Sequence, residues 1–300
     1  MSDIKLKPAE NQCTIEGILS EVKLTKGVGK TSNKDYVMGE VKIRAIVPVL
    51  GVDTELEIPV RVFSNKLKND GTPNPAYDSI CKIEEMTSLA ACGGDLEKAD
   101  RIRFDNATIQ MNEFYNKDEK LVSYPTIRGT FSRKVEASKC VPSASYSNVI
   151  VVGGFKEETD RNGDLTGRLI VKGILPQWGD RVDVVDYVVA SEAAKNHIQT
   201  YWQKGDTVRV AGVVNFTSTV ETEIVEMGFG EPEVKHRTRS VSELLITKGS
   251  QGALDAEFAY DPEVISEALT KRQAYLNELK TNANKKVDTV VKATTTDFGF

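Results

Sequence analysis

The residues with the clearest chemistry in this chain are cations and aromatics set into alternating apolar runs. Lys42 and Arg44 alternate with Val41 and Ile43, so a strand there sends both cations to one face and both aliphatics to the other. Tyr36 precedes them, and Arg61 and Phe63 close the next alternating run. Lys23, Lys26, Lys30 and Lys34 lie on or beside the Gly/Ser/Asn-rich loop before Tyr36. Farther along, Arg168, Lys172, Arg181 and Tyr187 surround Trp178, which sits in the turn Pro176-Gln177-Trp178-Gly179-Asp180. Cations track a phosphate backbone and exposed rings stack on unpaired bases, so the chemistry in view is binding of single-stranded nucleic acid. A lysine on a strand is usually only a solvated face, and Phe63, Phe104 and Phe131 read individually as core. The constellation carries more than its members.

Other chemistries find less support. Gly27-Val28-Gly29-Lys30-Thr31 resembles the end of a phosphate-binding loop, but Leu24 stands where the motif needs its first glycine. The residues after Lys30 also predict a strand, not the helix whose amino end would hold phosphate. Cys13, Cys81, Cys92 and Cys140 form no closely spaced pair, and the histidines are His197 and His236. Zinc needs such pairs to close a tetrahedron; reduced, buried thiols are expected. No catalytic residue, cofactor or metal site is expected.

The elements that position these residues form a repeat. Gln203-Lys204-Gly205-Asp206-Thr207-Val208-Arg209-Val210 has a counterpart in Glu97-Lys98-Ala99-Asp100-Arg101-Ile102-Arg103-Phe104. Upstream of each copy, a glycine (Gly39, Gly167), a strand, a proline (Pro48, Pro176) and a second glycine (Gly51, Gly179) recur at the same spacing. Strands Leu56 to Phe63 and Val182 to Val189 follow, then a helix and a fourth strand. Five short strands with a helix between the third and fourth is the layout of the OB-fold, a Greek-key barrel whose second and third strands form its binding face. The fold class expected is therefore mainly β. Two tandem OB-fold domains, residues 1–140 and 141–255, precede a C-terminal helix and disordered tail over 256–300.

Within that frame, residues 1–11 read as a loose arm, Pro75 to Ala91 as a helix, and Val141 to Ser145 as a linker. The fourth and last strands of the second unit are expected over Thr207 to Phe216 and Val241 to Thr247, with a loop over 228–235. Asp261-Pro262-Glu263 starts a helix whose stripe of Ile265, Leu269, Leu276 and Leu279 runs to about residue 283. From Val287 the chain is expected to be disordered. The net charge of −5 argues against a basic face that coats duplex DNA. Residues 1–140 carry 21 Lys/Arg against 21 Asp/Glu and the remainder 18 against 23, so the first unit is the more cation-rich. Neither an apolar run long enough to span a membrane nor a signal-peptide core is present, so a cytoplasmic protein is expected.

The tandem units, the Lys-Gly-Asp-Thr-Val-Arg-Val strand start and Arg239-Ser240-Val241-Ser242-Glu243-Leu244-Leu245-Ile246 resemble bacteriophage single-stranded DNA-binding proteins with two OB domains in one chain. The resemblance covers roughly residues 12–250. It implies a non-enzymatic protein, monomeric or weakly self-associating on DNA, that coats single-stranded DNA without sequence specificity during phage replication, recombination and repair. The end of the chain is similar to the partner-docking tails of such proteins in its terminal aromatic: Asp297, Phe298 and Phe300 are the candidate contacts for replication proteins. A virion structural or adaptor protein and an RNA-binding module remain the alternative readings of the same barrels.

Overall fold

In the computed structural model, which describes residues 6–30, 32–160, 162–225 and 233–294, the alternating runs become long strands. β1 (Asn11–Val28), β2 (Asp35–Val49) and β3 (Val52–Asn65) form an antiparallel meander. α1 (Pro75–Cys81), β4 (Arg101–Tyr115), β5 (Leu121–Gly129) and the short β6 (Arg133–Val135) follow. β3 pairs with β5 in parallel, β5 with β4 antiparallel, and β4 returns to β1, which closes a barrel. β7 (Ser143–Thr159), β8 (Leu165–Gln177), β9 (Arg181–Val189), α2 (Glu192–Tyr201), β10 (Thr207–Val225) and β11 (Glu233–Gly249) repeat that plan. Again the third and fifth strands pair in parallel, and the fourth returns to the first. This is the OB-fold twice, followed by α3 (Pro262–Thr294).

Period-two burial explains the strands. Val41, Ile43, Ala45 and Val47 of β2 and Leu56, Ile58, Val60 and Val62 of β3 point into the first barrel with Ile102, Phe104 and Ile127. Closure requires sharp curvature, and Gly39 permits it: a Cβ there would lie 2.0 Å from the Lys23 carbonyl oxygen.

The barrels are joined by strand pairing. β1 runs antiparallel to β7 from Asn11↔Asn148 to Glu16↔Ser143, so the expected linker is already strand at Ser143. The arm is not loose over its described residues either: the Ala9 N–H donates to the Pro176 carbonyl at 3.0 Å, and Leu6 is buried. Side chains complete the junction. Asn11 bonds both N–H and C=O of Ile109, and Asp183 accepts from the Met111 N–H at 3.2 Å.

Other expectations need correction. The helix after β3 ends at Cys81 and tightens into a 3₁₀ turn, because Leu89 and Ala90 donate to the carbonyls of Leu19 and Ser20 and draw the chain onto β1. β10 and β11 extend well beyond the expected strands and pair out to Val225↔Glu233, which replaces part of the expected loop; residues 226–232 lie outside the described residues. α3 continues to Thr294, where disorder was expected from Val287. Its first turn is capped by Asp261, which accepts from the Glu263 N–H at 2.8 Å. Ile265 and Ala268 then pack on Val151, Ile174 and Val182 of the second barrel. Arg272, farther along α3, forms an ion pair with Glu113 on β4 of the first barrel, with both side chains largely buried. No helix among the described residues is long and apolar enough to cross a membrane.

Candidate nucleic-acid interface

On the outer face of the first barrel, β2 and β3 present cross-strand pairs Met38↔Phe63, Glu40↔Arg61, Lys42↔Pro59 and Arg44↔Glu57. The parallel neighbour β5 sets Arg128 beside Arg61. Phe63 is 40% exposed and not core. Its ring stacks on Tyr36 at 6.1 Å with 29° between the planes, and the Arg128 guanidinium lies 5.9 Å from its centroid. The surface continues through Arg61, which donates to the Tyr124 hydroxyl at 3.4 Å; Asn112 also donates to that hydroxyl, at 2.6 Å. Tyr124 meets Phe114 edge-on at 6.4 Å. Strand pleating thus turns an aromatic–arginine sequence pattern into one track: Tyr36, Phe63, Arg128, Arg61, Tyr124.

The cations divide into two groups. Lys23 and Lys42 both bind Glu21, at 2.6 and 2.9 Å; Lys26 binds Glu84 at 2.5 Å; Arg44 binds Glu55. The hydrogen bonds from Lys23 and Lys42 hold the Glu21 carboxyl below its ordinary range, while those to Glu84 and Glu21 raise Lys26 and Lys42. Among the described residues, Arg61, Arg128, Lys30 and Lys34 have no carboxylate within ion-pair distance. Lys34 donates instead to Asn69 at 3.3 Å. These four can take a phosphate without first giving up a partner. The Gly29 N–H donates to the Lys34 carbonyl at 2.9 Å, which continues the β1–β2 pairing beside Lys30 where a phosphate-binding loop would start a helix.

The second barrel differs. Tyr187, a candidate stacking residue, is fully buried; its hydroxyl accepts from Asn148 at 2.7 Å, and its ring fills the space over Gly173. Burial raises its pKa, and the ring cannot meet a base. Arg168 is clamped by Glu158, with both contacts at 2.6 Å, and by Glu243 at 2.9 and 3.1 Å, so it is committed within the protein. Its hydrogen bonds hold Glu158 below the usual carboxylate range. Lys172 stands 3.9 Å from Asp186. On the outer side of β8 and β9, α3 packs at the turn end on Ile174 and Val182, while Lys172 and Asp186 farther along stay exposed. Trp178 remains, 78% exposed at the β8–β9 turn, with Arg181 donating to its carbonyl. The neighbouring Gln177 donates to the Ile109 carbonyl at 3.3 Å, which sets this turn beside β4 of the first barrel.

Sequence reading passed over Arg128, Tyr124 and Asn112. The signal for Arg128 was available in Thr126-Ile127-Arg128, where the buried Ile127 fixes its neighbours outward. Phe131, expected in the core, is exposed, and Phe104 is buried. The tail candidates Asp297, Phe298 and Phe300 lie outside the described residues.

A family model described as YorF matches residues 9–282. No curated protein matches the chain. Two solved structures are similar to it: a deletion mutant of the single-stranded DNA binding protein from Thermus aquaticus and the wild-type protein. The first has 14% identity and a TM-score of 0.46 over 85% of this chain and 98% of that one. The second has 11% identity and a TM-score of 0.47 over 83% of this chain and 96% of that one.

Proposed function

We propose that this chain, which belongs to the YorF family, binds single-stranded DNA without reading its sequence, through the outer face of its first barrel. The observation that carries the reading is the Tyr36–Phe63–Arg128 stack continued by Arg61. Solvent-facing rings interleaved with unpaired guanidinium groups supply both terms of sequence-tolerant binding, stacking and phosphate neutralisation. In the second barrel Arg168 is clamped by two carboxylates, Tyr187 is buried and α3 occupies the outer side of the β8–β9 turn end, so the reading assigns it no strand-binding face of its own beyond the Trp178 turn. The division at residues 140 and 255 is kept as the proposed domain organisation. Coating and protection of unwound DNA in phage replication, recombination and repair, without catalysis, is the role we attach to this activity; the tandem layout and the residue 239–246 segment support it.

The test is an anisotropy titration of labelled oligo-dT, oligo-U and a duplex at low and high salt. Binding of oligo-dT should lead, and it should weaken steeply with salt as phosphate counterions are released. Equal binding of oligo-U would redirect the reading to RNA, and no binding of any of the three at low salt would overturn it.

A further inference from the structure

We infer that a bound single strand does not stop at Arg61 but continues into the groove between the two barrels, where the stem of the β10–β11 hairpin lies over β3 and β5. This rests on the binding reading above. The groove encloses about 320 Å³, with Pro59, Arg61, Tyr124 and Thr126 on the first barrel facing Ser240 and Ser242 on β11. Arg61 and Thr126 also line the hollow beside Phe63, so track and groove are continuous. Ser240 and Ser242 are exposed and two residues apart, so they share one side of β11.

The chemistry of the groove is unlike that of the track. Lys42 and Arg61 share its lining with Glu40 and Glu57, so the groove beyond Arg61 carries no net positive charge to hold a run of phosphates. What the groove offers instead is hydroxyl groups and proline surface, suited to base edges and sugars. The second barrel thereby acts as a wall for a strand held by the first.

A ladder of oligo-dT lengths tests this, starting from about 4 nucleotides, the lower end of single-barrel site sizes. The S240E/S242E double variant should match wild type on the shortest oligonucleotide and bind long ones about tenfold more weakly, from two charges added beside the strand. S242R should tighten only the long ones and steepen their salt slope by about one. Both variants following wild type at every length would overturn the inference while leaving the track intact. Equal weakening of the shortest oligonucleotide by S240E/S242E would also overturn it. A wild-type protein that binds no oligonucleotide would remove the underlying reading and this one with it.

Discussion

Phe63 and Tyr187 are both aromatic and both lie on the third strand of their barrel, but they take opposite sides of it. Phe63→Ala should weaken oligo-dT binding by about 1–3 kcal/mol, the usual worth of one stacked base. The exposed ring contributes little to the core, so the denaturation midpoint should hardly move. Tyr187→Phe should do the reverse: unchanged binding, and a stability loss of about 1–3 kcal/mol as the buried Asn148 amide loses its acceptor. Parallel anisotropy and urea titrations separate the two. Trp178→Ala is expected to weaken binding to a similar degree as Phe63→Ala, and unchanged affinity would remove Trp178 from the interface. The inward side of Tyr187 was legible in the sequence: Asp186 is charged and belongs outside, and side chains alternate along a strand, so Tyr187 beside it faces in. Arg168 was only half legible: Glu158 faces it across the β7–β8 hairpin, but Glu243 is brought to it by barrel closure.

At the scale of elements, α3 shows where pattern runs out. Its stripe of Ile265, Ala268 and Leu276 could be read from spacing, and the apolar Ile174 on the outer side of β8 signalled a surface in need of cover. That one belongs on the other depends on how the chain returns after β11. The helix also meets a buried acid. Burial raises the Asp183 carboxyl above its ordinary range, against the lowering effect of the Met111 N–H. An acid raised in the folded state binds more protons folded than unfolded between its two pKa values, so its contribution to stability falls as pH rises through that window. Asp183→Asn retains an acceptor for Met111 and removes the titration. Relative to this variant, wild type should therefore be more stable near about pH 4 than near about pH 7. Urea midpoints across that range would show it, and a constant difference would count against a raised Asp183. Helix α1 carries a related lesson: the period-3.6 stripe through Met86 and Leu89 was present, but hydrogen bonds from Leu89 and Ala90 to β1 ended the helix early.

For the whole molecule, tandem barrels suggest independent units, but a single sheet runs through both. The β1–β7 pairing, the pinned arm from Leu6 to Glu10 and the Arg272–Glu113 pair leave neither barrel separable without exposing strand edge and buried charge. Thermal unfolding should accordingly be one transition with equal calorimetric and van't Hoff enthalpies; two resolved transitions would contradict a shared structure. The pairing of β1 with β7 has a further meaning. Equivalent first strands of the two repeats meet antiparallel, with Cys13 opposite Tyr146 near the centre of the paired stretch. Such a meeting has the form of a local twofold axis, the geometry by which two identical subunits associate. The polypeptide therefore has the form of a homodimer fused into one chain, whose symmetry is broken where α3 seats its apolar stripe on the second barrel.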